Sequence, residues 1–232
     1  PGRQAMATLG AEGVDIAKLL ILHDTPSGVA LIFVSHSGEN CIAVAPGANS
    51  ALSANYLQEN RALFASASIV LLQLETPMET VAAAVELARH FEIPCVLNPA
   101  PAAELPDSIL DALFCITPNQ HEAEVLTGIA VADPDSAAEA ANTLLRRGVE
   151  NVVITMGESG ALLCNSQGVH HQPASHVNVV DTTGAGDTFN GVFAAMLASG
   201  LSLRDALAKA VGAATLSVQS RGAIGSIPRL AK

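Results

Sequence analysis

The sequence predicts an α/β protein with a mainly parallel central sheet that helices cover on both faces. Short apolar runs at 69–72, 94–97 and 152–154 alternate with segments of helical periodicity. Strands that are buried on both faces are continuously apolar, which is typical of parallel sheets lying between two layers of helices. Two more short runs with tight connections, 160–164 and 177–180, predict a more antiparallel edge.

The remaining elements follow from the same periodicities. An apolar hairpin is expected at 29–34 and 41–45, with its turn at 35–40. Because a lone hairpin is marginally stable in water, a substrate pocket or a partner subunit should cover it. A further strand is expected at 112–116. Helices are predicted at 2–11, 53–60, 78–91, 120–126 and 135–147.

Composition limits the functions that the chain can have. With 232 residues, 50% of them hydrophobic, it can build a sizeable core and is most simply one domain. No apolar run is long enough to span a bilayer. The net charge of −11 argues against nucleic acid or an anionic membrane surface as a partner. The four cysteines lie in separate apolar runs, as expected of buried thiols in a reducing, cytoplasmic setting.

The segment 181–189, with the sequence DTTGAGDTF, joins a predicted strand to a predicted helix. Apolar residues recur at helical spacing from Phe189 to Leu197, and Gly200 ends the pattern. Unpaired backbone N–H groups and the positive end of the helix dipole coincide at such a junction, which favours binding of an anion. Asp187 fits two roles there. It could cap the helix, or it could be a general base that faces a hydroxyl group.

Polar residues follow successive predicted strands, namely Glu75, Asn98, Asn119 and the segment 155–157. In parallel sheets, ligands bind beyond the carboxyl ends of the strands. Together with the glycine turn, these residues suit phosphoryl transfer to an alcohol, which needs a base, donors for the transferred group and a cation. Neither G-x-x-x-x-G-K-[ST] nor G-x-G-x-x-G occurs in the chain. Asn119 and Thr117 could instead cap the following helix, and Glu122 could be an ordinary acid of its first turn.

The segment 181–191 resembles the second signature of the ribokinase-like, or PfkB, carbohydrate kinases, and the similarity extends over nearly the whole chain. It includes GVALIFV at 28–34, GEN at 38–40, GAN at 47–49, LNPAPA at 97–102, ITPN at 116–119, EAE at 122–124 and LTGI at 126–129. The resemblance implies a ribokinase-like three-layer α/β/α sandwich with a mainly parallel central sheet and a small β lid.

The resemblance also implies roles for individual residues. Asp187 matches the family's catalytic base, which takes the proton from a primary hydroxyl of the sugar. The anion hole over the transferred phosphoryl group matches Gly184, Ala185 and Gly186. Asn119 and Glu122 match the motif that organises Mg²⁺ and the phosphates of ATP, largely through water, and Asn119 matches a contact with ATP. The loop that lies along the nucleotide matches Thr155, Met156, Gly157, Glu158, Ser159 and Gly160.

Two further sites are implied. Glu75 matches a carboxylate that contacts the sugar. An activating K⁺ is expected beside the anion hole, at positions that match Asp181, Thr183, Ser217, Ser220, Gly222 and Ser226. The implied function is ATP-dependent phosphorylation of a sugar, with D-ribose as the expected acceptor and another small sugar or a nucleoside as the alternative. The hairpin at 28–45 is expected to be part of a lid that also forms a homodimer.

The chain departs from the family pattern in two respects. Family members carry an N-terminal segment of roughly two βαβ-sized units before the part matched here, and we expect this chain to lack it. Because that segment supplies a glycine-rich sugar-binding motif and half of the lid sheet, a non-catalytic nucleotide-binding or interaction module is a second hypothesis. In addition, Val211 stands where the family commonly has an Asn that contacts the nucleotide.

Overall fold

The structure is a computed structural model that describes residues 2–34 and 40–229. The helices are α1 Gly2–Ala11, α2 Ala54–Glu59, α3 Ala62–Ser66, α4 Met78–His90, α5 Asp107–Leu110, α6 Gln120–Thr127, α7 Pro134–Arg146, α8 Ala185–Ala198 and α9 Leu203–Ser217. The strands are β1 Val29–Val34, β2 Asn40–Ala45, β3 Val70–Leu72, β4 Cys95–Leu97, β5 Cys115–Ile116, β6 Asn151–Thr155, β7 Ala161–Asn165 and β8 Gly168–Gln172. None of the helices in these two ranges has the length and apolarity needed to cross a bilayer.

The chain divides into two compact units. The first contains the residues up to Leu63 together with Glu75–Ala84, and the second contains Phe64–Leu74 and the chain from Val85 onward. In the first unit, β1 and β2 form an antiparallel pair. Side chains tie its segments together, since the Tyr56 hydroxyl donates to the carbonyl of Lys18 (3.0 Å) and the Thr80 hydroxyl donates to the carbonyl of Leu52 (2.6 Å).

The second unit is built on a six-stranded sheet in the order β3-β4-β5-β6-β7-β8. Strands β3 to β6 are parallel, and the last two strands pair antiparallel. The central strands β4 and β5 are buried along their whole length, as is β6 up to Ile154. The structure therefore confirms the predicted mainly parallel sheet and its antiparallel edge.

Helices cover both faces of this sheet. On one face, Val96, Cys115 and Val153 share a buried cluster with residues of α8 and α9, among them Phe193 and Leu207. Residues of the strands that alternate with these point to the opposite face, where α6 and α7 contact β6. Helix α7 buries Ala137, Ala140, Ala141 and Leu144, a set with helical spacing. This arrangement confirms the predicted α/β/α layering.

One predicted strand, 177–180, is wrong. The place beside β7 is taken by β8, and the segment 177–180 has no strand partner. Its final N–H group, that of Val180, donates instead to the carbonyl of Val218 at the end of α9 (2.8 Å). Val179 and Val180 are about half exposed, at 55% and 49%, so an apolar run alone did not indicate burial here. The predicted hairpin turn at 35–40 lies outside the described residues except for Asn40.

Candidate active site

The glycine turn at 181–187 leads into α8 and leaves backbone donors exposed. Gly184 is the N-cap residue and has a positive φ of 76°, a conformation that glycine adopts without strain. A Cβ at this position would lie 3.1 Å from the Cα of Ala223. No side chain caps the helix, and the described residues supply no hydrogen-bond acceptor for the N–H groups of Gly186 and Asp187. Unpaired donors at the positive end of a helix can bind an anion.

Asp187 is the third residue of α8, and it is exposed beside these donors. Its carboxylate oxygen Oδ1 accepts a hydrogen bond from Gln73 Nε2 (3.1 Å), and the cap position belongs to Gly184. The alternative that Asp187 is an N-cap residue is therefore wrong. The carboxylate borders a cleft of about 270 Å³ that is lined by Leu71, Leu72, Gln73, Asp187, Asn190 and Gly191.

A chain of polar side chains connects the strand ends to the first turn of α8. Gln73 Nε2 also lies 3.4 Å from Asn98 Oδ1, and Asn98 Nδ2 donates to the carbonyl of Thr117 (3.1 Å). The Thr117 hydroxyl donates to Asn190 Oδ1 (2.6 Å), and Asn190 Nδ2 donates to the carbonyl of Gly186 (2.9 Å). Asn98, Thr117 and Asn190 are buried. Because buried polar groups are costly unless they are paired, this network fixes the glycine turn against the strand ends.

Asn119 and Glu122 hydrogen bond to each other. Asn119 Oδ1 accepts from the N–H of Glu122 (2.8 Å), and Glu122 Oε2 accepts from the N–H of Asn119 (2.8 Å), which forms a capping box at the start of α6. Asn119 Nδ2 donates to the other carboxylate oxygen (2.9 Å). Burial raises the pKa of the Glu122 carboxyl, and the N–H of Asn119 opposes that rise. The capping alternative is correct for Asn119, whereas the Thr117 hydroxyl bonds to Asn190 and caps no helix.

In the described ranges, no three His, Cys, Asp or Glu side chains gather as a ready-made metal site. The oxygens of Asn119 and Glu122 are nevertheless of the type that Mg²⁺ prefers. This ion usually keeps several waters and takes only one or two protein carboxylates together with phosphate oxygens. The donor set therefore fits an ion that is held mainly by a nucleotide and water.

The segment 155–160 lies beside Asn119. The N–H of Thr155 donates to the carbonyl of Pro118 (3.0 Å), and Thr155 forms an isolated bridge with Asn119. A single 3₁₀ turn follows at Gly157–Ser159. Gly160 then returns the chain to β7, and its N–H and carbonyl bond to Gly157 and Met156. The structure thus brings the predicted nucleotide loop next to the Asn119–Glu122 pair.

Asp181 links the glycine turn to the C-terminal loop. Its carboxylate accepts from the N–H groups of Thr183 (2.9 Å) and Gly222 (2.9 Å). These hydrogen bonds, that from Gly222 first, lower the pKa of Asp181 to about 2, so its carboxylate is ionised in neutral solution. The hydroxyls of Ser217 and Ser226 donate to carbonyls three residues earlier in the chain. Ser220 is exposed, and its N–H donates to the carbonyl of Ser217 (3.2 Å).

Two other residues singled out from the sequence lie elsewhere. Glu75 belongs to the first compact unit and is exposed. Val211 is buried with Phe193 and Leu207 in the cluster between the sheet and helices α8 and α9. At this position the side chain contributes to the core.

The model of the family described as pfkB family carbohydrate kinase matches residues 1–230. The chain belongs to this family. This match confirms the resemblance noted in the glycine turn. As a pfkB carbohydrate kinase, the protein is a phosphotransferase with an alcohol group as acceptor.

Individual members of the pfkB family are similar over nearly the whole chain. The ribokinase of Haemophilus influenzae is 39% identical over 227 residues, which is 98% of this chain and 74% of that protein. The deoxyribokinase of Salmonella typhi is also 39% identical, over 89% of this chain and 68% of its own length. A solved structure of Arabidopsis thaliana ribokinase complexed with ribose and ATP superposes with a TM-score of 0.91 at 30% identity, covering 98% of this chain and 75% of that one.

Sequence reasoning missed Gln73, Thr117 and Asn190 as parts of this pfkB-family site. Signals for two of them were present. Gln73 directly follows β3, where polar residues mark a ligand edge. Asn190 stands beside Phe189 on the face of α8 that packs inward, where a polar residue needs a partner. Only the tertiary structure shows that these two side chains belong to one network.

Proposed function

We propose that this pfkB carbohydrate kinase transfers the γ-phosphoryl group of ATP to a primary hydroxyl of a small sugar, with D-ribose as the first candidate. The observation that supports this most directly is the exposed Asp187 carboxylate at the start of α8, next to the unpaired N–H groups of Gly186 and Asp187. An acceptor for a proton and donors for a phosphoryl oxygen are thus within one helical turn of each other.

Asp187 acts as the general base in this proposal. It accepts the hydroxyl proton while the hydroxyl oxygen forms a bond to the γ-phosphorus and the bond to the bridging oxygen of ADP breaks. The backbone of Gly184, Ala185 and Gly186 stabilises the negative charge on the transferred group in this proposal; the N–H of Gly186 is unpaired among the described residues, whereas that of Ala185 donates to the carbonyl of Thr182 (3.2 Å). Exposure of the carboxylate within the cleft lets a sugar hydroxyl reach it directly.

ATP lies along the loop Thr155–Gly160 in this proposal, and its phosphates reach toward α8. Mg²⁺, when bound, neutralises phosphate charge. Asn119 and Glu122 organise the ion and its waters, since their capping box holds both oxygen-bearing side chains in place at the strand ends. Glu75 contacts the sugar in this proposal, as the match to the family implies.

D-Ribose and 2-deoxy-D-ribose are the two sugars that the relatives favour, because a ribokinase and a deoxyribokinase are equally identical to this chain at 39%. We expect kcat/KM for these two sugars to exceed the values for D-fructose and adenosine by about tenfold or more, since a pocket shaped for a free five-carbon sugar excludes a larger hexose or nucleoside. A coupled ADP-release assay with Mg·ATP measures all four. A folded protein that phosphorylates none of them would favour the hypothesis of a non-catalytic nucleotide-binding module.

A monovalent cation is proposed beside the anion hole, held by Asp181, Thr183 and the C-terminal loop. The ionised Asp181 and the N–H bonds that join it to Thr183 and Gly222 support this, because they bring the two segments together around a negative charge. Replacing Na⁺ with K⁺ at constant ionic strength should raise kcat/KM about fivefold or more. The Asp181→Asn variant should lose most of this preference. An enzyme with equal rates in both salts would contradict the cation site.

A cytoplasmic homodimer is the proposed form of the protein. The free cysteines Cys95, Cys115 and Cys164 are buried, as is common in reducing compartments. In the hairpin, Val29 and Val44 are exposed, at 46% and 61%, and apolar residues on a two-stranded sheet are a suitable contact for a second copy. The hairpin at 28–45 would then serve as lid and interface together.

A further inference from the structure

The orientation of the Gln73 amide is determined by its neighbours. Asn98 Nδ2 donates to the carbonyl of Thr117, so Asn98 must present its oxygen to Gln73. That oxygen can only accept. An ionised Asp187 carboxylate can also only accept, and it lies 3.1 Å from the same Gln73 nitrogen. The group between these two acceptors must therefore donate twice, and a primary amide with two N–H bonds on one nitrogen does so.

The position of Gln73 makes this contact effective. Gln73 directly follows β3, whose backbone is fixed by its pairing with β4, and its side chain is half-buried. Asn98, which holds the other side of the amide, is 8% exposed and donates to the carbonyl of Thr117, the residue that directly follows β5. The donor is thus attached to the sheet, whereas Asp187 belongs to α8. A hydrogen bond between them fixes the carboxylate relative to the strand ends, where ligands of parallel sheets bind.

From this geometry we infer that Gln73 is a positioning residue, which holds the Asp187 carboxylate in the orientation that accepts the sugar proton. The inference rests on the proposed function, because it acts through Asp187 as base. In this role, Gln73 affects the rate of the chemical step and not the binding of ATP or sugar. A misplaced base slows proton transfer while the contacts that bind ATP and sugar remain.

The test is a double-mutant cycle between Gln73 and Asp187. Gln73→Met keeps the length of the side chain but removes both N–H donors. With D-ribose and Mg·ATP, we expect kcat to fall about tenfold and KM for both substrates to change little. In the Asp187→Asn background, the same substitution should leave the residual rate unchanged, because the group through which Gln73 acts is already lost. Gln167→Met, at the exposed turn between β7 and β8, is the matched control and should behave as wild type.

The outcomes of the cycle distinguish the positioning role of Gln73 from the role of Asp187 as base. An equal fall in both backgrounds would overturn the positioning role, since a purely structural effect acts with or without the base. A near-normal rate of Asp187→Asn alone would overturn the proposed base itself, whatever Gln73 does. If Gln73→Met does not fold, the cycle is run with Gln73→Leu, which also has no N–H donor and adds no charge beside Asp187. Failure of both variants to fold would overturn the inference and assign Gln73 to the stability of the sheet.

Discussion

Replacing Asp187 with asparagine is expected to lower kcat by a factor of about 10² or more while the KM for ATP stays close to the wild-type value. The amide has nearly the same shape as the carboxylate but cannot accept the hydroxyl proton. Since Asp187 is exposed and pairs with Gln73, the substitution leaves no buried charge behind. Steady-state kinetics with D-ribose and Mg·ATP, together with the melting temperature, measure the effect.

The chain provides a matched control for this substitution. Asp205 occupies the third position of α9, as Asp187 does in α8, and it accepts a hydrogen bond from the hydroxyl of the N-cap residue Ser202 (2.6 Å). Asp205→Asn should therefore cost a little stability, about 0.5–1 kcal/mol, and leave kcat unchanged. If Asp187→Asn resembled it in both respects, Asp187 would be an ordinary acid of a first helical turn, and the assignment as base would fall.

Replacing Gly160 with alanine is expected to lower the free energy of unfolding by about 3 kcal/mol or more. Gly160 has φ 87° and ψ −129°, a region that is essentially restricted to glycine. A Cβ there would lie 2.1 Å from the carbonyl oxygen of Gln172 and 2.6 Å from the nitrogen of Ala174. These are backbone atoms, which cannot move aside as the end of a flexible side chain could. Urea denaturation measures the loss.

Gly157 is the internal comparison for Gly160, because it lies in the same loop and also has a positive φ, 57°. A Cβ at Gly157 would meet no atom within 4 Å. Gly157→Ala should therefore cost only the backbone strain, about 1 kcal/mol. Equal losses for the two variants would show that conformation alone matters, and that the close approach of the chain at 172–174 does not.

The sequence predicted most strands and helices of the second unit, because those elements carry their own periodicity, whereas α5 and β8 were not predicted. Buried strands such as Cys95–Leu97 are unbroken apolar runs, and α7 shows a clear inward face. The segment 177–180 has three valines around Asn178 and is not a strand, since the place beside β7 was taken by β8. The sequence pattern shows which residues are apolar. Which of two segments pairs with the free edge of a strand is decided by the tertiary structure.

The candidate site likewise contains residues whose positions the sequence predicts and residue pairs that it does not predict. Asp187 and Asn119 stand at element ends, where local rules apply, so their places could be predicted. The capping box between Asn119 and Glu122 follows from their three-residue spacing. The pairing of Gln73 with Asp187 joins residues that are 114 positions apart, and no local rule reaches that far. Such pairs require the packing of α8 against the sheet.

The order of the sheet has a consequence for how this site is assembled. All its strands pair with their neighbours in sequence, so no pairing in the sheet closes a loop longer than residues 117–150 between β5 and β6, and the entropy cost of closing a loop grows with its length. The contacts that complete the site close much longer loops, of 114 residues for Gln73 with Asp187 and of 73 for Thr117 with Asn190. We therefore expect the sheet to gain its secondary structure before the base meets its donor during refolding. Recovered enzymatic activity would then report the last step of folding, after spectroscopic signals of the backbone have reached their native values.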